Sequence, residues 1–173
     1  MKKTTLIILI LLTGIITKSF GQKLEESHTD DFTGKTVKRT SWETLSSSMS
    51  TMSNAHFRIS LVGDFETFDM KLMMNKVFSI DKDAQLMLKL DDGEVVTLQN
   101  LEYQITCKGC GATGFAGSEA EGIEVRYPLS KEQIIILKAH KVVKVRTTTN
   151  DGYFDNDIKD KNASKIQACL NLL

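Results

Sequence analysis

Apolar residues recur at every second position in segment after segment between residues 57 and 105. Phe57, Ile59 and Leu61 alternate with His56, Arg58 and Ser60, and Phe68, Met70, Leu72 and Met74 with Asp69, Lys71 and Met73. Leu86, Leu88 and Leu90 alternate with Gln85, Met87 and Lys89. Successive side chains of a strand point to opposite faces, so a period of two marks strands with one buried and one wet face. Such strands pair antiparallel, because parallel sheets bury both faces and read as continuous apolar runs. Phe78 and Ile80 form a short piece; after the Asp91-Asp92-Gly93 turn, Val96 and Leu98 and then Leu101, Tyr103 and Ile105 continue the rhythm. Turns of the Asp-Gly type and a single proline fit a meander of hairpins. Before this region, residues 22–34 read as a polar lead-in, residues 35–42 as a first strand, and residues 46–54, rich in Ser, Thr and Met, as an exposed loop.

The C-terminal part carries the clearest local signals. Pro128 disfavours the helical region for Tyr127 and so ends a strand. Ser130 and Gln133 stand at the spacing of a capping box ahead of Ile134, Ile135, Ile136 and Leu137, with His140 and Lys141 at the negative pole of a short helix. Val143, Val145, Thr147 and Thr149 then alternate with Lys144, Arg146 and Thr148, and Asn150-Asp151-Gly152 turns the chain back through residues 153–158. A closing helix near Asn162 places Ala163, Ile166, Leu170 and Leu173 at helical spacing, with Cys169 beside them. Val143, Val145 and Ile166 are expected in the core. The predicted class is α+β: a mostly antiparallel β meander, sheet or sandwich, with a short helix and a C-terminal helix packed on it. Residues 35–173 read as a single domain, large enough to bury a core without staples.

The N-terminus reads as a signal peptide. Lys2 and Lys3 precede an apolar run over residues 6–16, shorter than the roughly 20 residues of a membrane span. Ser19 and Gly21 are small residues at the positions cleavage before Gln22 requires. No cysteine closes the apolar run, which argues against a lipoprotein anchor. A secreted or periplasmic protein that does not span the membrane once residues 1–21 are removed is therefore expected. Losing Lys2, Lys3 and Lys18 leaves 19 of the 22 basic residues against 22 acidic ones, a net charge of −3. That balance argues against nucleic acid as a partner, which requires a basic stripe. Three cysteines are too few for a disulfide scaffold in a chain of this size.

Three segments, Phe20-Gly21-Gln22, Gly111-Ala112-Thr113-Gly114-Phe115, and Lys144-Val145-Arg146-Thr147 leading to Asp151-Gly152-Tyr153, resemble small exported proteins common in Bacteroidetes-type bacteria. The resemblance covers most of the chain after residue 21. It implies an exported setting and carries no catalytic residues.

Cys107 and Cys110 form the sharpest chemical signal. Cys107 to Gly114 resembles one zinc-binding repeat of DnaJ-type chaperones, with Ala112 in place of a glycine and no second pair to complete four ligands. A redox pair belongs at a helix start in a βαβ pattern, which is absent around it. A local disulfide or two free thiols in a loop is the simpler reading, with Cys169 a small core residue. The glycine run has P-loop spacing but Phe115 in the place of the lysine, so Gly111, Gly114, Phe115 and Gly117 are read as a binding rim. Asp151, Asp155, Asp157 and Asp160 lack the EF-hand pattern and read as surface charge; Met70 and Met74 read as core. His28, His56 and His140 have no partner at triad spacing. The expectation is a non-enzymatic binding or structural domain of the envelope, with no catalytic residue, metal or cofactor assigned and an envelope protein or glycan as partner. The alternatives are a thiol-redox or zinc-stabilised protein built on Cys107 and Cys110, or a hydrolase whose site is assembled from distant residues.

Overall fold

A computed structural model describes residues 21–48, 53–74, 76–110 and 121–173. Its central strands are long and keep the alternation. Strand β4 (Ser53–Val62) buries Ala55, Phe57 and Ile59, and β5 (Phe65–Met74) buries Phe68, Met70, Leu72 and Met74. The two pair antiparallel over their full length, so their apolar residues form one continuous surface.

The larger sheet has the order β1-β2-β4-β5-β11-β10, with β3 (Glu43–Ser48) also on β4. Here β1 is Leu24–Thr29, β2 Thr36–Thr40, β10 Cys107–Lys108 and β11 Glu121–Pro128. The smaller sheet, β13-β12-β7-β8, joins two hairpins through β7 and β12. One hairpin is β7 (Gln85–Leu90) with β8 (Val95–Gln99), the other β12 (Val142–Thr149) with β13 (Gly152–Asp157). Gly152 closes the second hairpin at φ +104°, a conformation a side chain would strain. A two-stranded piece pairs β6 (Ser79–Ile80) with β9 (Gln104–Ile105). Every pairing is antiparallel, and the α+β class stands. The meander is broken where β2 pairs with β4 past β3, where β11 returns to β5 and β12 to β7, and where β9 pairs with β6.

The apolar faces of both sheets feed one core. Helix α1 (Lys131–Ala139) seats Leu137 in it, and the short helices α2 (Asp160–Ala163) and α3 (Lys165–Leu170) add Ala163, Ile166, Cys169 and Leu170. The capping box is formed: the Gln133 N–H donates to Ser130 Oγ at 3.2 Å, and the Ser130 N–H to Gln133 Oε1 at 2.8 Å. Gln133 Nε2 also donates to the Thr97 carbonyl at 2.9 Å, tying the helix start to the edge strand β8. This explains how a β-branched run, Ile134 to Ile136, begins as a helix. Among the described residues no helix is long and apolar enough to cross a membrane.

Several expectations are corrected. The polar lead-in contains β1, an edge strand paired with β2. Its side chains are half-buried or exposed, so hydropathy does not reveal what its backbone hydrogen bonds achieve. Asp30 shapes the turn that follows, its Oδ1 accepting from the Thr33 N–H at 2.7 Å. In the loop expected over residues 46–54, residues 46–48 and 53–54 are strand, with Ser46 and Ser53 buried in β3 and β4; the rest lie outside the described residues. Leu101, Tyr103 and Ile105 are exposed, because the chain leaves β8 at Asn100 and only Gln104–Ile105 pairs again. Val143 is half-buried and Val142 takes its place in the core, since a bulge between Val142 and Lys144 shifts the alternation by one.

Gly122 is required by packing. It pairs with Cys107, and a Cβ there would overlap the carbonyl oxygen of Cys110. Gly122→Ala is expected to cost about 1–3 kcal/mol of stability by overpacking. The cost should shrink in a Cys107→Ser/Cys110→Ser background, where the turn can yield. Denaturant midpoints test this, and an equal loss in both backgrounds would speak against it.

Candidate functional site

The alternation that buries one face of the larger sheet sends His56, Arg58 and Ser60 of β4, Thr67, Asp69 and Lys71 of β5, and Glu124 and Arg126 of β11 to the other. Register sets these in rows. Arg58 stands opposite Asp69 and Asp69 opposite Arg126; His56 stands opposite Lys71 and Lys71 opposite Glu124. The Arg58–Asp69, Asp69–Arg126 and Lys71–Glu124 pairs set opposite charges side by side across neighbouring strands, which is favourable.

Asp69 is the anchor of this face. Its side chain is only 1 % exposed, and it accepts from Arg58 Nε at 3.1 Å, Ser60 Oγ at 2.7 Å and Thr67 Oγ1 at 2.7 Å. A carboxylate out of water is tolerable when its lone pairs are met in this way. Arg58 reaches on to Glu124 at 3.4 Å, and Lys71 to the same carboxylate at 3.8 Å. The Trp42 ring, from the break between β2 and β3, lies 4.4 Å from the Arg58 guanidinium carbon and 4.2 Å from Lys71 Nζ. These are cation–π distances.

Beside Asp69 the face sinks into a depression of about 70 Å³, lined by Arg39, Arg58, Arg126, Val62 and Phe65 among others. Arg39 is ion-paired with Glu26 of the edge strand. Arg126 is exposed and has no side-chain partner among the described residues. No family model, no curated protein and no solved structure matches the chain.

A second groove, about 260 Å³, lies on the smaller sheet among Met87, Lys89, Val95, Lys144, Arg146 and Asp155. It is larger but built differently. Arg146 grips Asp155 through two bonds of 2.6 and 2.7 Å and lies 4.4 Å from the Tyr153 ring centroid. The Arg146 hydrogen bond holds the Asp155 carboxyl below its usual range. Both groups lie in water, where such pairs contribute little. The Asp69 network is the one fixed by burial, and it is the better candidate.

The residues singled out from sequence fare unevenly. Cys107 and Cys110 are joined by a disulfide across a tight turn, the Cys110 N–H donating to the Cys107 carbonyl at 3.1 Å. Gly111, Gly114, Phe115 and Gly117 lie outside the described residues, as do residues 1–20 of the signal peptide expected over residues 1–21. Cys169 is a free buried thiol in α3. Met70 and Met74 are buried as expected. Asp155 and Asp157 face Lys144, and Asp151 pairs with Lys76 at 3.0 Å. Among the described residues the one group of three with metal-ligand spacing is Asp91, Asp92 and His140. It is a surface turn, His140 Nδ1 lying 3.2 Å from Asp92 and 3.4 Å from Asp91.

Arg58, Asp69, Arg126 and Trp42 were not singled out from the sequence. Asp69 carried a signal: aspartate is disfavoured inside strands, so one in mid-strand asks for a partner.

His56 makes the face sensitive to pH. Burial, then the nearby charges of Lys71 and Lys165, hold its imidazole below the ordinary value of 6.5. The unfolded chain therefore binds this proton more readily than the native one. The stability concerned is complete above 6.5 and is lost as pH falls through the lowered native value. Stability should drop as pH falls below 6.5, and drop less in His56→Gln. Parallel denaturant titrations of both proteins would detect this, and identical pH slopes would rule it out.

Proposed function

We propose that the protein is an exported, non-enzymatic binding domain of the bacterial envelope, which holds its ligand against the outer face of the larger sheet. The observation that carries this reading is the buried Asp69 network. Three strands fix Arg58, Lys71, Glu124 and, through the two cations, Trp42 in place before any ligand arrives. Side chains held by their neighbours lose little freedom on association, which is what a preorganised surface requires. The basic start, short apolar run and small residues before Gln22 support export.

The test uses protein recovered from an expressing bacterial host. Its intact mass should begin at Gln22, and retention of residues 1–21 on exported material would contradict export. Capture on arrays of envelope glycans and proteins should then be lost in Trp42→Ala and kept in Cys107→Ser/Cys110→Ser. Loss that follows the cysteine pair instead would move the working surface to the cysteine turn.

A further inference from the structure

We infer that the depression bounded by Arg39, Arg58 and Arg126 is a subsite for one oxyanionic group, a carboxylate or sulfate, carried by an acidic saccharide. The inference rests on the outer-face reading above and gives that face its ligand class.

The guanidiniums set the charge. Arg39 gives one nitrogen to Glu26; Arg58 gives Nε to Asp69 and Nη2 to Glu124. An arginine has five N–H donors, so both retain free ones, and Arg126 retains all of its own. Asp69, Glu26 and Glu124 are each already matched to a cation, and the unbalanced charge in the depression is that of Arg126. Forked N–H donors suit a planar carboxylate or a sulfate.

Size and surroundings narrow the ligand. About 70 Å³ admits one small charged group and little else. Phe65 is 51 % exposed and Val62 36 % exposed at the rim, an apolar wall beside the charge. A sugar acid presents this same pair, an apolar C–H face one bond away from an anionic group. β4 and β5 are paired on both sides, so no ligand is held here by strand addition.

The experiment is calorimetric titration of the exported full chain with three oligosaccharides of equal length: polygalacturonate, a sulfated chain and a neutral one. Inorganic sulfate is added as competitor. An acidic chain should bind in a salt-dependent way, be displaced by sulfate, and exceed the neutral chain by about tenfold or more. Arg126→Gln should weaken it by about tenfold with unchanged melting, because Arg126 holds nothing else in place. Arg126→Lys should recover part of the loss, since charge returns without the fork. Equal binding of the neutral chain, or full affinity in Arg126→Gln, would overturn the subsite. If acidic binding survives Arg126→Gln but fails in Trp42→Ala, the outer face stands and the subsite falls. If both variants bind as well as wild type, both readings fall.

Discussion

Truncating Phe57 to alanine is expected to remove about 3–5 kcal/mol of stability, the range for emptying a large aromatic site in a closed core. Phe57 is fully buried in β4, which is paired on both sides and so cannot move inward to fill the space. Its ring stacks on Phe68 of the next strand with centroids 5.3 Å apart and planes 4° from parallel. Phe57→Ala loses the transfer energy of the ring, that stacking contact, and the contacts of every side chain left facing the void. Phe57→Leu should cost much less, because most of the volume remains. Denaturant unfolding of the two variants measures the difference. A Phe57→Ala midpoint close to that of Phe57→Leu would mean the sheets relax around the site and the core is looser than described.

Asp69→Ala should be the most damaging change on the opposite face, at about 3 kcal/mol or more. The figure reflects what is left behind rather than the strength of the ion pair. Arg58 loses its closest carboxylate while only 19 % exposed, and the buried hydroxyls of Ser60 and Thr67 lose the oxygen they donate to. Asp155→Ala provides the contrast: it also breaks an arginine pair, but one in water, and should cost under about 1 kcal/mol. Urea midpoints for both variants decide the matter. Comparable losses would show that burial of Asp69 contributes nothing special.

How much of this was legible depends on which physical quantity wrote it. Burial of one strand face writes itself directly into alternation, so the inward sets of β4, β5 and β7 could be read from Phe57, Phe68 and Leu88 and their neighbours. The capping box was equally local, four residues long and formed as read. Edge pairing leaves no such mark. β1 is held by backbone bonds to β2 and, after Leu24, shows only polar side chains. The bulge at Val142 was hidden for a related reason: one extra residue puts Val142 rather than Val143 in the core while Val145 keeps its place, and no residue type announces it. The candidate site was hidden because its members come from β2, β4, β5 and β11, and only pairing brings residues 39, 58, 69 and 126 together. In sequence the cysteines stood out and the arginines did not, since nearness along the chain is visible and nearness across a sheet is not.

The enclosed thiol of α3 gives the molecule an internal clock. Burial pushes Cys169 up to about 11, against a smaller opposing pull from a Thr40 hydrogen bond, and the other two cysteines are locked to each other. Alkylating reagents attack the thiolate, and at about pH 8 only about one such thiol in a thousand is ionised. A reagent also cannot reach a fully covered sulfur. Under native conditions, then, iodoacetamide should mark the protein only during the moments when the last helix lifts away from the sheet. The rate of labelling, compared with that of an unfolded peptide, reads out how often α3 detaches without any engineered probe.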